Sequence, residues 1–266
     1  MRKYIDIALS AAVQAGEEII KIYNDPLQDF SIEKKADNSP LTIADRLSHN
    51  LIVNALCVTP YPILSEEGKD IFYEERKNWK TFWLIDPLDG TKEFIKRNGE
   101  FTVNIALVKD GKPVMGIIFV PVLKTLYFGE VGLGAWKIEN VSGEDKVTVE
   151  FIKDIGIQLP VINTERTFTV VGSRSHSNAE TASYFKQLEK EYGEIEILAK
   201  GSSLKICMVA EGSADVYPRF GPTMEWDTAA GHAIALAAGK NVTLADFKTP
   251  LIYNKENLLN PYFIVC

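Results

Sequence analysis

Two aspartates separated by two residues, Asp86 and Asp89, follow a short apolar run in this sequence. The run is long enough for a buried strand. Because Pro87 cannot donate a hydrogen bond to a sheet, we expect the strand to end there. Crowded, ionised carboxylates repel each other unless a cation or a proton lies between them. The pair therefore indicates a site for a hard cation such as Mg²⁺, which prefers oxygen ligands.

A turn at Asp89-Gly90-Thr91 is predicted to lead into a helix that begins near Thr91. Free backbone N–H groups at such a helix start favour phosphate binding. The alternative is a strand and turn with solvated aspartates, which is common for an isolated D-x-x-D-G pattern. The surrounding sequence is needed to decide between these two interpretations.

Four further acidic residues could join the pair. Glu66 and Glu67 follow a predicted strand end at Ser65, and a solvated turn would explain them equally well. Asp45 lies three residues after Thr42, the spacing of a helix capping box. Asp227 is expected at the N-cap of an Ala-rich helix over about 228–238. From the residues alone, structural and functional roles remain open for all of them.

The segment 86–94, DPLDGTKEF, is followed by IKRNGEFTVNIAL at 95–107. Together they resemble the inositol monophosphatase superfamily of Mg²⁺-dependent, lithium-sensitive phosphatases, and within it the CysQ-type 3'(2'),5'-bisphosphate nucleotidases. The resemblance extends over nearly the whole chain. T-K-E-F after the aspartates, where many inositol phosphatases have T-T-N-F, favours the nucleotidases.

The resemblance implies a fold and a set of metal ligands. The expected fold is α/β (α+β), the layered α/β/α/β/α sandwich of the inositol monophosphatase/fructose bisphosphatase type. Two or three Mg²⁺ are expected on carboxylates and one backbone carbonyl, from Glu66, Asp86, Leu88, Asp89 and Asp227.

The resemblance also implies roles in catalysis and substrate binding. Asp45 would orient Thr91, which holds the attacking water, and Glu67 would support the site. His176 would contact the nucleoside, and Lys205 and Arg219 would neutralise a second phosphate, although ordinary surface charge is their alternative. The full set of expected substrate contacts is Glu66, Asp89, Gly90, Thr91, Lys92, His176, Ser202, Lys205, Arg219 and Asp227.

The implied activity is hydrolysis of the 3'-phosphate of 3'-phosphoadenosine 5'-phosphate to AMP and phosphate, in sulfur assimilation and nucleotide recycling. The sulfated analogue, 3'-phosphoadenosine 5'-phosphosulfate, is a second expected substrate. One alternative is an inositol or sugar phosphate phosphatase with the same mechanism. Another is a nucleotide- or metal-binding regulator without turnover, although such a protein could dispense with Asp45 and Thr91.

Composition restricts the partners of the chain. Its 266 residues carry a formal net charge of −7, which argues against a nucleic-acid polymer as partner. An anionic substrate would be repelled by the protein as a whole, so bound cations must attract it. Three widely spaced cysteines show no disulfide or zinc pattern. We expect a cytoplasmic protein, or one peripheral to the inner face of the membrane, without a transmembrane segment and either monomeric or homodimeric.

The elements that must position these residues follow from hydrophobic periodicity. Apolar residues at helical spacing predict an amphipathic helix over about 3–23. Four runs between residues 101 and 138 predict an antiparallel meander, with a hairpin turn at Asp110-Gly111. Residues 139–166 are polar and predicted to be irregular. We therefore expect an N-terminal α+β half, 1–150, with most of the metal site, and a C-terminal α/β half, 151–266, with the last metal ligand and the nucleotide contacts.

Overall fold

The computed structural model describes residues 1–25, 33–34, 40–173 and 178–266. Within them the helices are α1 (Arg2–Asn24), α2 (Ile43–Leu56), α3 (Tyr73–Arg76), α4 (Thr91–Ile95), α5 (Val149–Ile155), α6 (Ala179–Tyr192), α7 (Leu204–Glu211) and α8 (Glu225–Ala237). The strands are β1 (Glu33–Lys34), β2 (Pro40–Leu41), β3 (Ile63–Ser65), β4 (Thr81–Asp89), β5 (Thr102–Lys109), β6 (Lys112–Val120), β7 (Thr125–Glu130), β8 (Gly134–Ile138), β9 (Ile157–Leu159), β10 (Phe168–Ser173), β11 (Ile195–Lys200), β12 (Tyr217–Arg219), β13 (Val242–Leu244) and β14 (Phe263–Val265).

A seven-stranded sheet forms the centre of the molecule, with its strands in the order β3-β4-β5-β6-β7-β8-β9. The β3–β4 pair is parallel and every later pair is antiparallel. The predicted meander is therefore confirmed. Its first hairpin turns at Asp110 and Gly111, whose φ angles of 49° and 72° are those that such tight turns require.

A second, smaller β region lies beyond the central sheet. β10 and β11 pair in parallel, and β14 lies between β12 and β13 in antiparallel register. A parallel bridge from Val170 to Val216 links the two groups of strands. This region places the start of α7 and the end of β12 next to the edge of the central sheet where β4 ends.

Alternate residues of the central strands enter two different cores. Trp83 and Ile85 of β4 pack with α1 and α2 on one face, whereas Phe82 and Leu84 pack with α7 and α8 on the other. A third cluster joins α6 to the second β region through Val170, Leu188, Val216, Phe220 and Ile264. Helices and sheets thus alternate in layers, and the predicted layered sandwich is confirmed.

Helix α8 lies directly against the central sheet at Gly116 of β6. A Cβ atom at this position would come within 2.0 Å of the Ala230 carbonyl oxygen. Such an approach is open only to glycine. The close contact holds α8, whose first turn carries Asp227, against the central sheet.

Two predictions about the chain path are wrong. The strand does not stop at Pro87: β4 continues to Asp89, and an irregularity in its pairing with β5 between Asp86 and Asp89 accommodates the proline. Residues 139–166 are not wholly irregular, because they contain α5 and β9. Since β9 extends the central sheet to Leu159, the sheet passes the expected boundary at residue 150; the division into two halves stays a prediction.

Candidate active site

Three aspartates meet at the edge of the central sheet. Asp86 and Asp89 come from the end of β4, and Asp227 comes from the first turn of α8. One carboxylate oxygen from each residue lies within 4.8 Å of the others. Asp86 is only 1% exposed, whereas the other two are partly exposed. Residues far apart in the sequence are therefore brought together as a candidate cation site.

The irregular end of β4 explains how two aspartates so near in sequence face one site. Asp86 is opposite Asn104 of β5 and Asp89 is opposite Thr102, with Pro87 and Leu88 unpaired between them. The Leu88 N–H donates to Asp86 Oδ1 at 3.0 Å. Ser48 of α2 donates to the Pro87 carbonyl at 2.7 Å. A side chain thus satisfies backbone that the sheet leaves unpaired.

Asp227 does not occupy the N-cap position that its sequence context predicted. The N-cap of α8 is Met224, and Asp227 is the third residue of the helix. Its Oδ2 accepts a hydrogen bond from the Met224 N–H at 2.8 Å. One oxygen of this carboxylate therefore closes the helix start, and the same hydrogen bond orients the carboxylate group toward Asp86 and Asp89.

Burial and mutual repulsion dominate the electrostatics of the cluster. Burial, followed by the charges of Glu66, Asp89 and Asp227, raises the pKa of Asp86 well above its ordinary value. Burial and the charges of Asp89 and Glu66 likewise raise the pKa of Asp227. A carboxyl hydrogen bond joins Glu66 to Asp86, so the predicted fourth acid lies beside the cluster. Crowded oxygen donors with raised proton affinity fit a divalent cation, which would replace the protons.

Asp45 and Thr91 meet beside this cluster, as their predicted pairing requires. The Thr91 hydroxyl lies 3.2 Å from Asp45 Oδ1 and 3.4 Å from the Leu88 carbonyl oxygen. Asp45 Oδ2 also accepts from the Thr42 N–H at 2.7 Å and completes the capping box of α2. The structural and the functional interpretation of Asp45 are therefore both compatible with the geometry, one on each oxygen.

The turn at Gly90 brings the chain from β4 into α4. Gly90 has a φ of 91°, in the left-handed region that favours glycine. α4 contains only five residues, Thr91–Ile95, so its dipole contributes less than that of a long helix. Lys92 is exposed and lines the adjacent cavity. Phosphate contacts from Gly90, Thr91 and Lys92 stay predictions.

A second set of hydrogen bonds holds Asp89 in place. Ser202 and Ser203 lie 2.6 and 2.7 Å from Asp89 Oδ2 through their hydroxyl groups. Thr102 and Asn104 of β5 contact the same two serines. Ser202 was predicted as a substrate contact, but Ser203, Thr102 and Asn104 were not recognised as site residues. The signal for the β5 pair was present, because two polar residues alternate at the start of an otherwise apolar strand.

Two buried cations line a cavity next to Asp89 and Asp227. Lys205 Nζ donates to the Ser202 carbonyl at 2.6 Å and lies 5.6 Å from the centre of the Tyr217 ring. Burial lowers the pKa of Lys205 to about 8. Arg219 Nη2 donates to the Pro222 carbonyl at 2.7 Å. Its buried Nε has no hydrogen-bond partner among the described residues, so one directional donor is available for an anion.

The roles predicted for two further residues, His176 and Glu67, stay predictions. His176 lies outside the residues that the structure describes. Glu67 follows Glu66 and is partly exposed, and its supporting role stays a prediction.

No helix in the described ranges is long and apolar enough to cross a membrane.

The fold and the site together define a layered α/β sandwich with an acidic cluster and an adjoining cationic cavity. The chain belongs to the inositol monophosphatase family, whose model matches residues 1–262. It is 46% identical over 257 residues to the 3'(2'),5'-bisphosphate nucleotidase CysQ of Salmonella typhimurium, covering 96% of each chain. The CysQ of Haemophilus influenzae is 34% identical and is covered over 90% of its length, with 97% of this chain matched.

A solved structure extends the similarity to three dimensions. The crystal structure of CysQ from Bacteroides thetaiotaomicron, described as a bacterial member of the inositol monophosphatase family, superposes with a TM-score of 0.92 at 55% identity. The match covers 100% of this chain and 97% of that one. The resemblance inferred from the segment 86–107 is confirmed.

Proposed function

We propose that this protein is a Mg²⁺-dependent phosphoric monoester hydrolase that removes the 3'-phosphate of 3'-phosphoadenosine 5'-phosphate, releasing AMP and phosphate. The cluster of Asp86, Asp89 and Asp227 beside a cavity with two buried cations is the observation that carries the proposal. A monophosphatase needs the acidic cluster, whereas Lys205 and Arg219 supply charge for a second phosphate. The names of the CysQ relatives support the same substrate.

Glu66, Asp86, Asp89, Asp227 and the Leu88 carbonyl would hold two or three Mg²⁺. Bound there, the cations would lower the pKa of a coordinated water and neutralise developing negative charge. Residues of the chain would position the attacking water and the phosphate. The Thr91 hydroxyl, held by Asp45, would position the attacking water, and the Gly90 and Thr91 N–H groups would hold the phosphate oxygens. Glu67 would support the acidic cluster.

The far end of the substrate would lie in the cationic cavity. Arg219 offers a guanidinium whose Nε is buried without a partner in the described structure, a group suited to phosphate oxygens. Ser202, Lys92 and Lys205 would add donors, and His176 would contact the nucleoside. The sulfated analogue would fit the same arrangement, because its 5' group is also anionic. We place the activity in sulfur assimilation and nucleotide recycling, in the cytoplasm or at the inner membrane surface.

A panel of phosphate esters tests the proposal. The purified chain would be assayed for phosphate release with Mg²⁺ or with EDTA from 3'-phosphoadenosine 5'-phosphate, its sulfated analogue, inositol 1-phosphate and a sugar phosphate. We expect Mg²⁺-dependent release with the bisphosphate nucleotide as the preferred substrate. Preference for inositol phosphate would be consistent with the proposed mechanism but would show that the proposed substrate is wrong. Binding without turnover would indicate a regulator instead of an enzyme.

A further inference from the structure

The carboxylate of Asp89 is held by hydroxyl groups from the turn before α7. Two hydroxyl groups, of Ser202 and Ser203, approach the same carboxylate oxygen, Oδ2. Two short bonds to one oxygen fix the rotation of the carboxylate about its last torsion angle. The direction in which Asp89 presents its oxygens to a cation is therefore decided by the turn before α7.

The Ser203 hydroxyl does not cap its own helix but contacts two residues of the acidic cluster, the Asp89 carboxylate at 2.7 Å and the Asp227 backbone carbonyl at 3.1 Å. Ser203 occupies the N-cap position of α7, where a serine normally accepts a hydrogen bond from the helix backbone. Here the side chain makes no capping bond, and its hydroxyl is directed to Asp89 at 2.7 Å. At 3% exposure it is nearly inaccessible to solvent. A capping serine would direct its hydroxyl to the N–H groups of its own helix. Because the Ser203 hydroxyl is directed to Asp89 instead, we infer a role at the site.

Asn104 of β5 determines the direction in which the Ser203 proton points. The Asn104 amide nitrogen donates to Ser203 Oγ at 2.7 Å, and its carbonyl oxygen accepts from Thr102 at 2.9 Å. An amide nitrogen cannot accept a hydrogen bond. Ser203 must therefore donate its own proton elsewhere, and Asp89 Oδ2 at 2.7 Å is a closer acceptor than the Asp227 carbonyl oxygen at 3.1 Å. Asn104 is also opposite Asp86 in the β4–β5 pair. It therefore lies next to one β4 aspartate and is linked through Ser203 to the other, Asp89.

We propose that Asn104 and Ser203 are positioning residues that orient Asp89 for cation binding. The inference rests on the proposed function, in which Asp89 is a metal ligand. Neither residue is assigned as a cation ligand: Ser203 acts through the Asp89 carboxylate, and Asn104 acts through Ser203. Partners that orient metal ligands typically contribute 10- to 100-fold in metal affinity. Loss of either residue should therefore weaken Mg²⁺ binding.

The test measures Mg²⁺ binding to the full chain by titration calorimetry without substrate, alongside the Mg²⁺ dependence of turnover. Ser203→Ala and Asn104→Leu should each raise the Mg²⁺ dissociation constant about 10-fold or more. Since the residues act as a unit, the double variant should bind little worse than either single variant. Ser203→Thr, which keeps the hydroxyl, should restore binding. At saturating Mg²⁺ the KM for substrate should stay within about twofold.

Thr59→Val is the matched control. Thr59 is 8% exposed, and its hydroxyl accepts from Trp83 Nε1 at 2.8 Å near the other end of β4. It should lower the melting temperature without changing Mg²⁺ affinity. The positioning role is wrong if the Mg²⁺ dissociation constants of Ser203→Ala and Asn104→Leu lie within twofold of the wild-type value. It is also wrong if they rise no more than that of Thr59→Val. A wild type that binds no Mg²⁺ would instead overturn the metal-dependent function. If Ser203→Ala does not fold, Asn104→Leu decides the same question.

Discussion

Asp45 joins the first turn of α2 to Thr91 through its two oxygens. Oδ2 accepts from the Thr42 backbone, and Oδ1 lies 3.2 Å from the Thr91 hydroxyl. The two contacts should have different consequences, because a cap stabilises the helix whereas orientation of Thr91 would affect the proposed reaction. The same residue therefore allows a test that separates stability from turnover.

Asp45→Asn should lower kcat by about 10²–10⁴, the usual contribution of positioned proton transfer. Loss of the charged cap should cost only about 0.3–1 kcal/mol of unfolding free energy. Steady-state kinetics and thermal unfolding of the same samples would measure both. Thr91→Ala should show a similar fall in kcat, and the double variant should lose little more than either single one. If Asp45→Asn keeps most of its kcat, Asp45 is only a cap.

Asp86→Asn and Asp89→Asn should abolish Mg²⁺-dependent turnover in proteins that remain folded. Burial and neighbouring charges raise the pKa of Asp86, so the folded state without cation binds a proton more tightly than the unfolded state. Its stability should therefore fall as pH rises above the ordinary value of 3.8, and this fall should be smaller in Asp86→Asn. Unfolding in EDTA across a pH series measures the effect. Near-normal phosphate release by either variant would show that the mutated aspartate is not a metal ligand.

Arg219→Ala and Lys205→Ala should raise KM for the bisphosphate nucleotide more than for a substrate that lacks the second phosphate. A charge-assisted hydrogen bond contributes roughly 1.5–3 kcal/mol, which corresponds to about a 10- to 100-fold change in KM. Lys248→Ala, which removes an exposed charge, is the control. Equal effects on both substrates would show that neither cation recognises the second phosphate.

Lys205 should also impose a pH dependence on substrate capture. Burial lowers the pKa of Lys205 to about 8, so its positive charge is present below this pH and lost as pH rises through it. The ratio kcat/KM, which reports ionisations of the free enzyme, should decline above about pH 8 for the bisphosphate. Lys205→Met should lack this decline, although its activity at pH 7 should be lower. An identical alkaline limb in both proteins would assign the decline to another group.

Lithium should inhibit the enzyme at concentrations at which sodium has little effect. A carboxylate cluster that holds one cation weakly could accept Li⁺ in place of Mg²⁺. Phosphate release would be measured at matched concentrations of lithium and sodium chloride. Equal inhibition by the two salts would indicate screening of surface charge alone.

The sequence by itself determined the elements whose signals are local. Apolar spacing predicted α1, the turn at Asp110-Gly111 set the first hairpin, and Thr42 with Asp45 formed the predicted capping box. The segment 86–94 indicated the acidic pair, because both aspartates belong to one short segment. Each of these signals depends on neighbours only a few residues apart, so no knowledge of the fold was needed.

Only the tertiary structure decided how these elements meet. β4 continues past Pro87 because β5 pairs with it on both sides of the irregularity, a long-range contact that a local proline rule does not include. Met224, not Asp227, is the N-cap of α8, and packing at Gly116 brings that helix close to the sheet. Ser203 and Asn104 are separated by 99 positions but hydrogen-bonded, and only the folded arrangement of β5 and α7 places them beside Asp89. Contacts between distant segments depend on how the layers pack, and local patterns carry no record of that packing.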